Sequence, residues 1–189
     1  MKLSKAQFRA EMRGRIKALD AEYIRRSDEG IMENVLALPE FLCACTVFAY
    51  HAMGRECATR GIIDRALAVG KTVALPRSRP GGAMDFASCE YGLHKALYGI
   101  PEPEPGAPAI IPKPGDIVIV PAVCCDSSGM RLGQGGGYYD RFLAAHPDVS
   151  AVCLCRAELL QEKVPTEWND MAVDIVITEK EIIRTRKAK

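Results

Sequence analysis

The chain has 189 residues, 48% of them hydrophobic and 26% charged, with a net charge of +1 and 6% aromatic content. That length suits one domain with a substantial core, and the near-neutral charge excludes the strongly basic face of a nucleic-acid binder. No apolar run approaches the ~20 residues that cross a bilayer, and Met-Lys-Leu-Ser-Lys at the start is not followed by an apolar signal core. A cytoplasmic protein without membrane or nucleic-acid partners is expected.

Ser4 opens a capping box with Gln7, after which Phe8, Met12, Ile16 and Leu19 recur at helical spacing. Lys5, Arg9 and Arg13 repeat every four residues, forming a basic stripe beside that helix's apolar face. Such a stripe reaches around a cleft toward polyphosphate, or lies as a solvated edge with its stems over apolar surface. A second helix is predicted over 21–37, with Ile24, Ile31, Val35 and Leu38 on one face and Pro39 ending it. Residues 45–50 read as a strand, 56–69 as a helix stopped by Gly70, and 72–75 as a strand. Glu56, at the predicted helix start, is either a first-turn carboxylate or an acceptor for the N–H groups of a polar heterocycle.

Residues 84–88 read as a shorter strand, and 100–115, with six prolines, as an extended surface connection. That connection is not a domain boundary, because the residues beyond it carry too little helix to cover a sheet alone; one domain over 1–189 is expected. Residues 117–123, 150–155 and 174–178 supply three more apolar strands. The alternation predicts an α/β fold, a three-layer α/β/α domain with a largely parallel central sheet. Ligands collect beyond the carboxyl ends of strands in such sheets, so segments 50–56 and 126–138 are expected to share one crevice.

Cys43/Cys45 and Cys153/Cys155 are each two apart in strand-like sequence, so each pair is expected on one side of a strand. None of the eight cysteines makes a Cys-x-x-Cys zinc pair. Buried thiols in a reducing compartment are expected, acting as small apolar residues.

Residues 131–141, Arg-Leu-Gly-Gln-Gly-Gly-Gly-Tyr-Tyr-Asp-Arg, carry the strongest chemical signal. A glycine cluster that opens a helix brings bare amides and a positive helix end to an anion, most often phosphate, although such clusters are also plain turns. No Gly-Lys-Ser/Thr occurs in it, which excludes a Walker loop. A dinucleotide fingerprint read from Gly133 would need glycine where Tyr138 stands. Asp140, just after the loop, suits either a magnesium ligand beside phosphates or a first-turn carboxylate.

Val120 to Asp126, Gly129, and the block from Arg131-Leu132-Gly133 to Tyr138-Tyr139-Asp140-Arg141 resemble the signature of the 5-formyltetrahydrofolate cyclo-ligase family. Supporting elements stand in order along the chain: Lys5 and Arg9, Tyr50 with Glu56, Leu75-Pro76, Met84-Asp85-Phe86, Tyr98 to Pro103, and Asn169 to Asp174. The resemblance covers nearly the whole chain. It implies ATP- and magnesium-dependent conversion of 5-formyltetrahydrofolate to 5,10-methenyltetrahydrofolate, with release of ADP and phosphate and no protein nucleophile.

The resemblance also implies site roles. Lys5, Arg9 and Arg131 are the catalytic cations. ATP contacts come from those three with Leu132, Gly133, Gln134, Gly135, Gly136, Gly137, Tyr138 and Tyr139. Folate contacts come from His51, Glu56, Met84, Tyr98, Gly135, Gly137, Tyr138 and Tyr139, with Phe86 as a further apolar wall. Asp140 and Asp170 are the Mg2+ ligands, with Asp126 and Asp174 weaker candidates. A monomer is expected. Many relatives carry Gly-Lys-Gly where this chain has Gly135-Gly136-Gly137, which leaves phosphate charge to the other cations, the metal and the backbone amides. The rival readings are a paralogue acting on another small substrate and a non-catalytic folate- or nucleotide-binding protein.

Overall fold

The structure, a computed structural model, describes residues 3–79, 83–95 and 99–185. Helix α1 (Lys5–Ala18) starts at the predicted capping box, with the Gln7 amide donating to Ser4 Oγ and the Ser4 amide to Gln7 Oε1. Helix α2 (Ala21–Leu36) is capped by Asp20, which accepts from the amides of Glu22 and Tyr23. Pro39 ends that helix as expected and begins another, α3 (Pro39–Cys43), where its missing N–H costs nothing. Next come β1 (Thr46–Phe48), α4 (Arg60–Ala68), β2 (Thr72–Arg79) and β3 (Ala83–Ser88), then a small ribbon of β4 (Leu93–Lys95) and β5 (Pro101–Pro103). The second half contains β6 (Ile117–Val120), β7 (Cys124–Asp126), β8 (Arg131–Leu132), α5 (Tyr138–Ala145), β9 (Ser150–Leu154), β10 (Leu160–Gln161), β11 (Ile175–Ile177) and β12 (Ile182–Arg184).

Seven strands form the central sheet in the order β12-β11-β9-β6-β1-β2-β3. The inner pairings are all parallel, and only β2 with β3 and β11 with β12 are antiparallel. Its strands come from both sides of the proline-rich connection. Side chains divide between the two faces with period two. Ile117, Ile119, Val47, Val152 and Ile175 pack with Ile31 and Val35 of α2, Phe41 of α3 and Ile62 of α4. Val118, Val120, Phe48, Cys153 and Val176 pack with Met12 of α1 and with Phe142 and Leu143 of α5. Helices therefore cover both faces, which gives the predicted three layers.

Three expectations need correction. The helix read from 56 begins at Arg60, because the preceding carbonyls are engaged elsewhere: Arg156 takes those of Arg55 and Glu56, and Tyr50 Oη donates to that of Cys57. Glu56 is thus a loop residue, not a helix-start carboxylate. The proline-rich connection is tied to the sheet rather than merely laid over it. Arg77, 2% exposed, pairs with Asp85 and donates to the carbonyls of Glu104 and Ala107. Finally, Cys43 and Cys45 are exposed, since Cys43 ends α3 and the buried residue between them is Ala44. Cys57, Cys124, Cys125, Cys153 and Cys155 are buried as expected, and all eight thiols are free. Among the described residues, no helix is long and apolar enough to cross a membrane.

Candidate active site

Strand order reverses between β6 and β1: from β1 the chain proceeds to β2 and β3 on one side, from β6 to β9 and β11 on the other. A crevice opens at such a switch point because the loops leaving the two strands diverge to opposite faces. Here those loops are 49–59, after β1, and 121–137, after β6. They meet as expected, with Gln134 Nε2 donating to Glu56 Oε1 at 3.4 Å.

The second loop is shaped before its glycines begin. Asp126 accepts from the amides of Ser128 and Met130, closing the turn between β7 and β8, and from the amide of Val164. Both carboxylate oxygens are thereby occupied, and Asp174 accepts in the same manner from the amide of Ala151. Neither is placed as a metal ligand. Gly129 lies in that turn at φ +87°, where an added Cβ would stand 2.4 Å from the carbonyl oxygen of Val173. Only glycine fits so close an approach.

Loop 133–137 then runs into α5, whose cap is Gly137 at φ +65°. The basic stripe of α1 lies along this loop. Arg9 Nε donates to the carbonyl of Gly133 at 2.8 Å, and Arg13 Nη2 to Gln134 Oε1 at 2.7 Å. Lys5 Nζ stands 2.6 Å from Asp170 and 3.3 Å from Glu167. Arg141 folds back to the carbonyl of Gly136, its guanidinium 5.2 Å from the Tyr138 ring centre.

Arg131 is turned inward, with 4% of its side chain exposed. It pairs with Asp140 at 3.1 Å and donates to the carbonyl of Met171. Asp140 Oδ1 in turn accepts from the Met171 amide at 3.1 Å. Asp170 precedes Met171, so the two predicted carboxylates converge on one peptide segment although 30 positions separate them in sequence. Among the described residues, no group of three or more His, Cys, Asp or Glu is placed to hold a metal. A pair of hard oxygen donors completed by phosphate oxygens and waters is nonetheless the set that Mg2+ ordinarily takes.

An apolar wall stands on the α5 side. The Tyr139 ring meets Phe86 edge-on at 6.4 Å, and Met84 is a further partly buried residue against the same core cluster. Among the described residues, Tyr139 Oη is buried without a hydrogen-bond partner. Burial above all, together with nearby Glu56, pushes its phenol well above the usual range, so it stays protonated and available as a donor.

Glu56 also lines a cavity of ≈ 210 Å³, together with Asp28, His51, Thr59 and Arg60 among others. His51 Nε2 is buried and has no hydrogen-bond partner among the described residues. Burial and the Arg60 charge lower the imidazole pKa, which favours the neutral ring. Tyr98, expected beside the folate, lies outside the described residues. A larger hollow of ≈ 480 Å³, between the end of α1 and the start of α2, is lined by none of the predicted site residues.

Sequence reasoning missed Arg156. Among the described residues it is the largest fully buried side chain, and it bonds to Ser27, Asp28 and the carbonyls of Arg55 and Glu56. Its signal was available: a charged residue directly after the apolar run 150–155, at the ligand-binding end of a predicted strand. Arg55 was missed as well; it donates to the carbonyls of Ile16 and Leu19 and so ties the Glu56 loop to the end of α1.

Comparison with known proteins shows the family and the fold. The sequence model of the 5-formyltetrahydrofolate cyclo-ligase family matches residues 1–179. A 5-formyltetrahydrofolate cyclo-ligase of Mycolicibacterium smegmatis is 34% identical, over 71% of this chain and 74% of its own length. The Escherichia coli K12 protein of the same name is 29% identical, over 88% of this chain and 96% of its own. The solution structure of the 5,10-methenyltetrahydrofolate synthetase of Aquifex aeolicus superposes with a TM-score of 0.84 at 29% identity, covering 97% of this chain and 94% of that one.

Proposed function

The chain belongs to the 5-formyltetrahydrofolate cyclo-ligase family, and from that premise we propose that it converts 5-formyltetrahydrofolate to 5,10-methenyltetrahydrofolate, consuming ATP and releasing ADP and phosphate. The observation that carries the reading is the meeting of α1 with the glycine loop. Three cations within one N-terminal helix reach residues 133, 134 and 170, where a triphosphate would need them. A solvated stripe would not be drawn onto a glycine loop at the sheet's switch point.

The chemical difficulty is that a formamide oxygen leaves poorly. In the proposed course that oxygen attacks the γ-phosphorus and ADP departs, leaving a phosphorylated imidate. N10 of the same folate then attacks the activated carbon and loses its proton, and phosphate leaves as the ring closes. The protein's work is positioning and electrostatic stabilisation, without a covalent step of its own. The amides of 133–137 would cradle phosphate oxygens, and Lys5 and Arg9 would neutralise their spreading charge. Asp140 and Asp170 would hold Mg2+, which supplies further neutralisation at the phosphate oxygens. Arg131, engaged with Asp140 and Met171, would keep that carboxylate oriented. Glu56 would accept from the pterin N–H groups, with His51 beside it and Tyr139, Tyr138 and Met84 forming the ring wall; Phe86, fully buried in the core, backs Tyr139 rather than facing the ligand as expected.

The test is incubation of purified protein with 5-formyltetrahydrofolate and MgATP, following methenyl absorbance and ADP together. One methenyl product per ATP is expected, and ATP-dependent turnover should be absent with 10-formyltetrahydrofolate. Folded protein that binds both ligands and yields no methenyl product would sink the proposal.

A further inference from the structure

Asp28 lies on α2, apart from the glycine loop and the basic stripe, yet it stands in the wall of the cavity that Glu56 lines. Its Oδ1 accepts from Arg156 Nη2 at 2.6 Å and from the Ala58 amide at 3.1 Å. Among the described residues, its Oδ2 accepts nothing. Arg156 is 1% exposed and fans out over four further partners: Ser27 Oγ at 3.0 Å, the carbonyls of Arg55 and Glu56 at 3.0 and 3.2 Å, and Cys57 Sγ at 3.5 Å. One guanidinium therefore fixes both Asp28 and the backbone that carries Glu56. A buried charge of this kind is costly unless every donor is met. Here its effect is to hold two carboxylates around one cavity and, with the Ala58 amide, to oppose the burial that pushes the Asp28 carboxyl up.

The reading of Glu56 as a pterin acceptor, on which this rests, leaves half of the ring unserved. A reduced pterin carries N3–H beside its 2-amino group on one edge, and N8–H on the other edge, beyond the acceptor N1. One carboxylate can take only one side. We propose that Asp28, positioned by Arg156, is a specificity residue that accepts from the N8–H side of the reduced ring while Glu56 accepts from the other. In fully oxidised folic acid N8 bears a lone pair and no hydrogen, so it would face the Asp28 carboxylate acceptor to acceptor. The chain would thereby select the reduced state of its substrate at the binding step.

The experiment is calorimetric binding of 5-formyltetrahydrofolate, folic acid and ATP to the wild-type chain, Asp28→Asn, Arg156→Lys and Glu56→Gln. In Asp28→Asn the amide oxygen keeps the bonds from Ala58 and Arg156, while the free atom changes from acceptor to donor. Affinity for 5-formyltetrahydrofolate should fall about tenfold, that for folic acid should hold or rise, and that for ATP should stay within twofold. Arg156→Lys should shift the reduced ligand in the same direction by less, and Glu56→Gln should weaken both folates.

If Asp28→Asn weakens both folates equally, or neither, while Glu56→Gln weakens both, Asp28 is structural and the inference fails. If Glu56→Gln changes neither, the pterin reading of the cavity fails with it. Should Asp28→Asn not fold because Arg156 is left uncompensated, Asp28→Asn combined with Arg156→Met removes that charge and carries the same comparison. The wild-type chain supplies a test without any variant. A reduced folate analogue with carbon at position 8 should bind about tenfold more weakly than its nitrogen parent, and equal affinity would overturn the proposal.

Discussion

At the scale of single residues, two positions show how sequence and geometry divide the work. Gly129 was legible as part of a motif, but its reason lies 44 positions away, at the Val173 carbonyl that a Cβ would strike. Gly129→Ala should destabilise the fold by about 1–3 kcal/mol, from overpacking added to an unfavourable positive φ. Urea unfolding measures this, and a loss under about 0.5 kcal/mol would mean that the Val173 segment moves aside freely. Arg131 was legible as a charge beside the glycines, but not as an inward one. With its guanidinium on Asp140 and Met171, Arg131→Ala should lower kcat at least tenfold and leave folate binding within threefold, since it would free the carboxylate proposed to hold Mg2+ where phosphate charge spreads in the transition state. Steady-state kinetics, with circular dichroism to confirm folding, decides it; a near-normal kcat would make Arg131 purely structural. Gly136→Lys in that background should recover part of the loss. Gly136 is not at positive φ, and the obstacle to its Cβ is the partly exposed Tyr138 ring at 2.7 Å, which must turn aside to admit it.

At the scale of elements, the β2–β3 hairpin is held by charge as well as by its ladder. Arg77 and Arg79 both bond Asp85 across the pair. Burial pushes the Asp85 carboxyl up, but the two arginines outweigh it and hold it below its ordinary value. A folded pKa below the unfolded one means that this stability is fully present above the unfolded pKa and is lost as pH falls through the folded one. Asp85→Asn should therefore cost about 1.5–3 kcal/mol at neutral pH, and the deficit should shrink in acid. Thermal melts from pH 7 down to pH 3 would show the two curves converging. A deficit that stayed constant with pH would show that lost packing, not charge, was being measured. This hairpin also explains why the proline-rich segment resisted a sequence reading. Its backbone partner is the buried Arg77, and nothing local in 100–115 announces that contact.

At the scale of the whole molecule, the site closes where the first helix meets the segment 167–170. Lys5 at the start of α1 reaches Glu167 and Asp170 of that segment. Between those two acids stands Trp168, the only tryptophan and 97% exposed. Nucleotide phosphates that draw on Lys5 would loosen its hold on this turn, so MgATP should change the Trp168 emission. Lys5→Ala should weaken ATP binding at least tenfold while leaving folate affinity nearly intact. A fluorescence titration beside calorimetry checks both, and ATP that binds Lys5→Ala normally would remove Lys5 from the phosphate site.

Sequence alone determined what local physics governs. The period-two apolar strands, the capping box of α1 and the glycine run before α5 were all legible because propensity, capping and backbone freedom act over a few residues. They were enough for the layers, for the largely parallel sheet and for a crevice after two named strands. Tertiary structure decided whatever depends on a partner far along the chain. It set the start of α4 at Arg60 rather than Glu56, turned Arg131 inward, brought Asp140 and Asp170 to one segment, and buried Arg156 behind Glu56. Each of these comes from satisfying a buried charge or carbonyl, and the group that satisfies it is set by which strands lie side by side, not by what stands next in sequence.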